Sequence, residues 1–265
     1  MKIAHIINPV KVGESSDLYV AQPITFETMK QAKRHAGNGL DVELLTTQYP
    51  EDRSIIPEGF VVTEDLDRSI SDIAQFKVKR KLPLIKDILD RLYENSDADY
   101  FIYTNVDIAV QPHFYQAVKY HIDNGLDAMV INRRTISKKH SRIDEIPLMC
   151  AEVGDTHRGF DCFVYKREVY PKYSLGTACI GKNWVGRVII ANVMAYAKSF
   201  QLFKESHLTF HIGNDWSWKS EDYVDYTAHN RNECHKALIA IEQDIGTLDR
   251  KEIPGSFYNQ ILKNQ

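Results

Sequence analysis

The chain has 265 residues, of which 43% are hydrophobic and 26% charged, enough for one large globular domain with a substantial core. A net charge of -3, from 33 Lys and Arg against 36 Asp and Glu, gives no bulk electrostatic reason to bind nucleic acid or an acidic membrane surface. Cys150, Cys162, Cys179 and Cys234 form no C-x-x-C pair and are too few for a disulfide framework. No apolar run approaches the ~20 residues of a membrane span, and the apolar stretch after Met1 is short for a signal peptide. The expectation is a reduced, cytoplasmic protein without an integral membrane segment.

Lys2 to Ile7 reads as a buried strand stopped by Asn8-Pro9. Pro23 to Ala36 carries helical spacing and is ended by Gly37-Asn38-Gly39. Asp41 to Thr47 is a second strand and Phe60 to Thr63 a short third one. Leu84 to Tyr93 places Leu84, Ile85, Ile88, Leu89 and Leu92 on one helix face. The strand Tyr100 to Thr104 follows, then a helix opened by Pro112 and ended by Asn124-Gly125, then a strand from Ala128 to Asn132. This alternation predicts an α/β fold with right-handed crossovers. Arg133 to Arg142 is strongly basic and reads as a solvated loop. Gly159 to Tyr165 is a strand with an acid at its start, Trp184 to Lys198 a helix, Leu208 to Gly213 a short strand, and Glu233 to Ile245 a closing helix. One compact domain with two functional halves is expected, residues 1–132 and 133–265.

The stretch from Tyr100 to Asp107 is the most informative. Residues two apart on a strand share a face, so a strand ending here presents Asn105 and Asp107 together at the sheet's carboxyl edge. That edge is where open α/β sheets bind ligands. Paired oxygen side chains suit a hard divalent cation that also bridges phosphate oxygens. Neither G-x-G-x-x-G after the first strand nor G-x-x-x-x-G-K-[ST] anywhere is present, which removes the dinucleotide and P-loop fingerprints.

Asn105-Val106-Asp107, Gly159-Phe160-Asp161 and His211-Ile212-Gly213, in that order behind an N-terminal βαβ half, resemble nucleotide-sugar glycosyltransferases of the GT-A fold. The resemblance implies a GT-A-like single α/β domain, Rossmann-like in its nucleotide-binding half, with a central mixed sheet flanked by helices. It implies transfer of a sugar, in the manner of a hexosyltransferase, from a UDP- or GDP-linked donor to a carbohydrate or other hydroxyl acceptor. By family analogy, the product belongs to polysaccharide or glycoconjugate synthesis. It also implies Mn²⁺ or Mg²⁺ on Asp107 and His211, with Asn105 a weaker ligand or a ribose or sugar contact. The amide at 105 departs from the family's acid and bears on the strength of metal binding.

Diphosphate departure needs charge stabilisation, for which Arg80 and Lys81 in the Lys77–Lys81 run are candidates. Asp161 is the candidate general base. Asn8, Pro9, Thr46 and Thr47, with Glu64 and Asp65, are candidates for the base or ribose, and Trp184, Trp216 and Trp218 for stacking on a sugar. Each has a plain alternative: Asn105 and Asp107 as turn residues, His211 as a core histidine, Asp161 paired with Arg158 or Arg187, and the lysine run as a solvated face. Arg133, Arg134, Lys138, Lys139 and Arg142 read as a solvated loop or a lid over an anionic substrate. The rival functions are a nucleotidyltransferase, disfavoured by a single glycine between Asn8 and Asp17, and a non-catalytic nucleotide- or carbohydrate-binding module on a degenerate transferase scaffold, kept open by Asn105.

Overall fold

Strands and helices alternate through the first half of the chain and build two sheets in the computed structural model, which describes residues 1–213 and 223–246. The first half contributes β1 (Lys2–Ile7), α1 (Leu18–His35), β2 (Asp41–Thr46), β3 (Val61–Val62), α2 (Ile85–Asn95), β4 (Tyr100–Thr104), β5 (Ala109–Val110), α3 (Phe114–Asp123) and β6 (Ala128–Ile131). The second half adds β7 (Arg134–Ile136), α4 (Ile146–Ala151), β8 (Asp155–Thr156), β9 (Cys162–Lys166), α5 (Val185–Tyr196), β10 (Phe200–Phe203), β11 (Thr209–Ile212) and α6 (Val224–Ile245). The expected mixed α/β architecture, a central sheet flanked by helices, is therefore the observed one.

The large sheet has the order β10-β6-β9-β4-β1-β2-β3, and every strand is parallel except β9, which runs against both neighbours. Strand pleating divides its side chains between two cores. Ile6, Phe101, Tyr103, Val130 and Phe163 face α2, α5 and α6, while Ile3, Ile7, Ile102, Met129 and Val164 face α1 and α3. Complete burial of such side chains contributes roughly 1.5–3 kcal/mol each. A second sheet, β5-β11-β7-β8, packs with Ile24 of α1 and with Ile146 and Met149 of α4.

Several expectations are corrected. The first helix begins at Leu18, ahead of Pro23, because the Gln22 amide clamps it to the chain leaving β1: Nε2 donates to the Val10 carbonyl and Oε1 accepts from the Val10 amide. The basic stretch after residue 132 is not simply a solvated loop. Arg134–Ile136 is β7, paired with β11 and β8, and Arg134 donates to the Val153 and Gly154 carbonyls. α6 begins nine residues before Glu233. Its Tyr226 lies fully buried and stacks on Phe76 at 3.9 Å.

Candidate functional site

β4 and β6 leave the large sheet at the edge where antiparallel β9 enters it. The register pairs Thr104 with Cys162 and Ile131 with Cys162, so the next residues outward, Asn105, Asn132 and Asp161, sit abreast. The chain then crosses from β4 to β5 in the small sheet, and Asp107 lies in that crossing. β11 pairs with β5 and with β7, and brings His211 beside it.

His211 Nε2 stands 3.2 Å from Asp107 Oδ2. The convergence of these two residues, 104 positions apart, is thus present in the structure. His211 Nδ1 donates to the Gly213 carbonyl at 2.6 Å, which fixes the tautomer that carries the Nδ1 proton. Nε2 then confronts a carboxylate oxygen with its lone pair unless a proton or a cation stands there. Burial disfavours the charged Asp107 carboxylate, but its contact with His211 and the charge of Arg133 outweigh it and hold its carboxyl below the usual range. Asp107 Oδ1 is buried and has no hydrogen-bond partner.

Asp161 pairs with neither Arg158 nor Arg187. Its Oδ1 accepts from Arg133 Nη1 at 3.2 Å, both side chains being largely buried. Asp161 Oδ2, Arg133 Nε and Asn132 Oδ1 are buried without partners. Together with Asp107 Oδ1 this makes four orphaned polar atoms around one sheet edge. Buried polar groups are ordinarily satisfied, so such a cluster marks a place for a polar ligand. Asn105 Oδ1 accepts from the Tyr103 hydroxyl at 3.0 Å, which engages one lone pair of the atom a cation would use. Burial and the carboxylates of Asp107 and Asp161 raise the Tyr103 phenol, so it remains a donor.

The other expected residues lie elsewhere along the same edge. Asn8 and Pro9 are buried after β1, and Asn8 Nδ2 donates to the Thr47 carbonyl at 2.6 Å. Thr46 is fully buried and closed to a ligand in this conformation. Its hydroxyl, that of Thr47 and Gln48 Oε1 are partnerless. Lys81 is ion-paired with Glu51 and lies 3.9 Å above the Tyr49 ring, just beyond β2, whereas Arg80 stacks on Tyr223 at 4.5 Å. Asp65 accepts from Gln48 and Arg53. Trp184 has Arg187 4.2 Å over its ring. Trp216 and Trp218 lie outside the described residues.

Arg133 and His157 join the site from positions that sequence reading treated as loop or passed over. Arg133 could have been found by the logic applied to Asp107, since it directly follows a predicted strand. The His157 ring packs against Gly159, where an added Cβ would fall 2.6 Å from Nε2 and 3.5 Å from Asp161 Oδ2. Among the described residues, no three His, Cys, Asp or Glu side chains converge in the manner of an all-protein metal site.

No family model and no curated protein matches the chain. Among solved structures it is similar in overall course to S. aureus TarS 1–349 in complex with UDP-GlcNAc, with 9% identity over 99% of this chain and 79% of that one, at a TM-score of 0.45. M. tuberculosis glucosyl-3-phosphoglycerate synthase aligns at 10% identity over 94% and 82%, with a TM-score of 0.46. A mycobacterial protein aligns at 14% identity over 94% and 76%, with a TM-score of 0.45. Likenesses this loose assign neither a family nor a ligand nor a residue role to this chain.

Proposed function

We propose that this chain is a glycosyltransferase that moves a sugar from a nucleoside-diphosphate donor to a hydroxyl acceptor. The observation that carries the reading is the ring of orphaned polar atoms beside the Asp107–His211 pair, at the sheet edge where α/β folds bind ligands. The order of the Asn105-Val106-Asp107, Gly159-Phe160-Asp161 and His211-Ile212-Gly213 motifs supports it.

The donor set fits a divalent cation. Asp107 offers a carboxylate with a free buried oxygen, and His211 offers an Nε2 whose ring is oriented by the Gly213 carbonyl, as metal-bound imidazoles usually are. Two protein ligands leave room for phosphate oxygens and water, which is how Mg²⁺ is commonly held. Bound there, Mn²⁺ or Mg²⁺ would supply Lewis-acid stabilisation of the departing diphosphate. Arg133 adds fixed positive charge, and its Nε–H is available to an oxygen of the donor. Asn105 and Asp161 offer hydrogen bonds to ribose or sugar hydroxyls. Asn8 and Pro9, with Lys81, form the stretch along which the nucleoside would lie.

No helix among the described residues is long and apolar enough to cross a membrane, and all four cysteines are free. A reducing, cytoplasmic setting belongs to the same reading. Calorimetric titration with UDP and with GDP, each with and without Mn²⁺, tests it. Binding strengthened by Mn²⁺ and lost in Asp107→Ala is expected. Failure of the wild-type protein to bind any nucleoside diphosphate removes the proposal. A second reading, a nucleotide-binding module without turnover, is favoured by the engagement of Asn105 Oδ1 with Tyr103, and requires a bound donor that is never cleaved.

A further inference from the structure

We propose that His157 is the general base that deprotonates the acceptor hydroxyl, with Asp161 serving as a fixed hydrogen-bond acceptor beside it. The inference rests on the glycosyltransferase reading and assigns a role within it that the three sequence motifs do not contain.

The argument begins with Asp161. A carboxylate held by a buried guanidinium has one oxygen and its orientation committed to that pair. Arg133 Nη1 holds Asp161 Oδ1 at 3.2 Å, with neither side chain more than 11% exposed. Its free oxygen can accept a hydrogen bond from the acceptor hydroxyl and so position it. A second group beside it is tied into no ion pair.

His157 meets the geometric requirements. It belongs to the connection between β8 and β9, four residues before Asp161, and its backbone carbonyl accepts from Asn132 Nδ2 at 3.1 Å, which ties it to the end of β6. The imidazole is half-buried, and among the described residues neither ring nitrogen has a hydrogen-bond partner. His5, by contrast, has both nitrogens satisfied in the core. The ring folds back over Gly159, and only the absence of a Cβ at 159 leaves room for it. Its Nε2 and the free oxygen of Asp161 flank that same glycine.

The charged and titratable groups around the ring are Arg133 at the end of β6, Asp161 at the start of β9 and His211 on β11. Burial, then the charge of Arg133, favour the neutral imidazole, the form a base must have. In the step assigned to it, the imidazole takes the acceptor O–H proton as the acceptor oxygen forms a bond to the donor's anomeric carbon. The bond from that carbon to the diphosphate breaks, and its electron pair leaves with the nucleoside diphosphate. The imidazolium returns its proton to solvent.

The experiment measures hydrolysis of UDP-glucose, UDP-GlcNAc and GDP-mannose, with water as acceptor, across pH 5 to 9, alongside calorimetric binding of the same donors. Positioned bases contribute about 10²- to 10⁴-fold. His157→Gln is expected to lower kcat by roughly 100-fold or more, leave donor KM within about threefold, and abolish the acid limb of the kcat profile. His157→Ala should regain activity with added free imidazole, which a merely structural role would not allow. Gly159→Ala, which crowds the ring without altering it, should lower kcat with donor binding retained. An unchanged acid limb in His157→Gln, or a wild-type protein that binds a donor and never cleaves it, overturns the assignment. Absence of donor binding instead removes the transferase reading, and this inference with it.

Discussion

Acidification should destabilise this protein through His5. The imidazole lies at the centre of the large sheet, fully buried, with Nδ1 2.8 Å from the Tyr115 hydroxyl and Nε2 2.9 Å from the Thr104 hydroxyl. A neutral ring is satisfied there, but a charged one has no counter-ion, and burial lowers its pKa from 6.5 to about 3. The unfolded chain binds this proton near pH 6.5 and the folded chain does not, so stability falls as pH drops below 6.5 and levels off near 3. At 1.36 kcal/mol per unit, the loss between pH 7 and pH 5 is about 2 kcal/mol, and the full span approaches roughly 5 kcal/mol. His157 and His207 also have lowered pKa values and add to the slope, so the measurement is a difference. Urea unfolding of the wild type and of His5→Gln at both pH values isolates the contribution. The wild type should lose about 2 kcal/mol more than the variant on going to pH 5. Parallel losses would refute the argument that this imidazole stays neutral in the folded protein.

Two further outcomes follow from the packing. Arg133→Met leaves the Asp161 carboxylate buried without its partner and should cost about 3–5 kcal/mol, much of it recovered in Arg133→Met/Asp161→Leu; denaturant melts of the single and double variants that show additive losses would contradict the pairing. Asn230 is fully buried, accepting from the Cys179 amide and donating to the Cys179 and Asn183 carbonyls at 2.9 to 3.1 Å, so it ties α6 to the chain ahead of α5. Asn230→Ala should cost roughly 2–4 kcal/mol in the same assay, and a loss under about 1 kcal/mol would mean the three bonds carry little.

Much of the large sheet was legible because its strands are continuous apolar runs bounded by turn residues. Lys2–Ile7 and Tyr100–Thr104 have the boundaries read from sequence, since Asn8-Pro9 and Asn105 stop them. Of the small sheet, β11 was legible as the short strand Leu208 to Gly213, and its partners were not. β5 and β8 have two residues each, and β7 is a short segment inside a basic stretch, so neither period nor propensity marks them. Their pairing is a tertiary event. The early start of α1 was hidden by Pro23, whose usual place is the first turn. At the site, Asp107 and His211 were foreseen because strand-end chemistry has a local pattern. Arg133 was set aside because a cluster of basic residues is most often solvated, although its place directly after a predicted strand sets it apart from the rest of the cluster. His157 carries no local signal at all. Its place depends on Gly159 and on the register of β9 against β4 and β6.

The Asp107–His211 contact also joins two separately built layers. Asp107 is carried by the chain emerging from the large sheet, whereas His211 is anchored on a strand of the small one. Asp107 stands on the crossing between the two sheets, so tilting of one layer over the other bears on the short stretch of chain that carries it. A cation grasped by both residues would therefore act as a bolt across a seam, making the relative setting of the two layers depend on whether the bolt is in place.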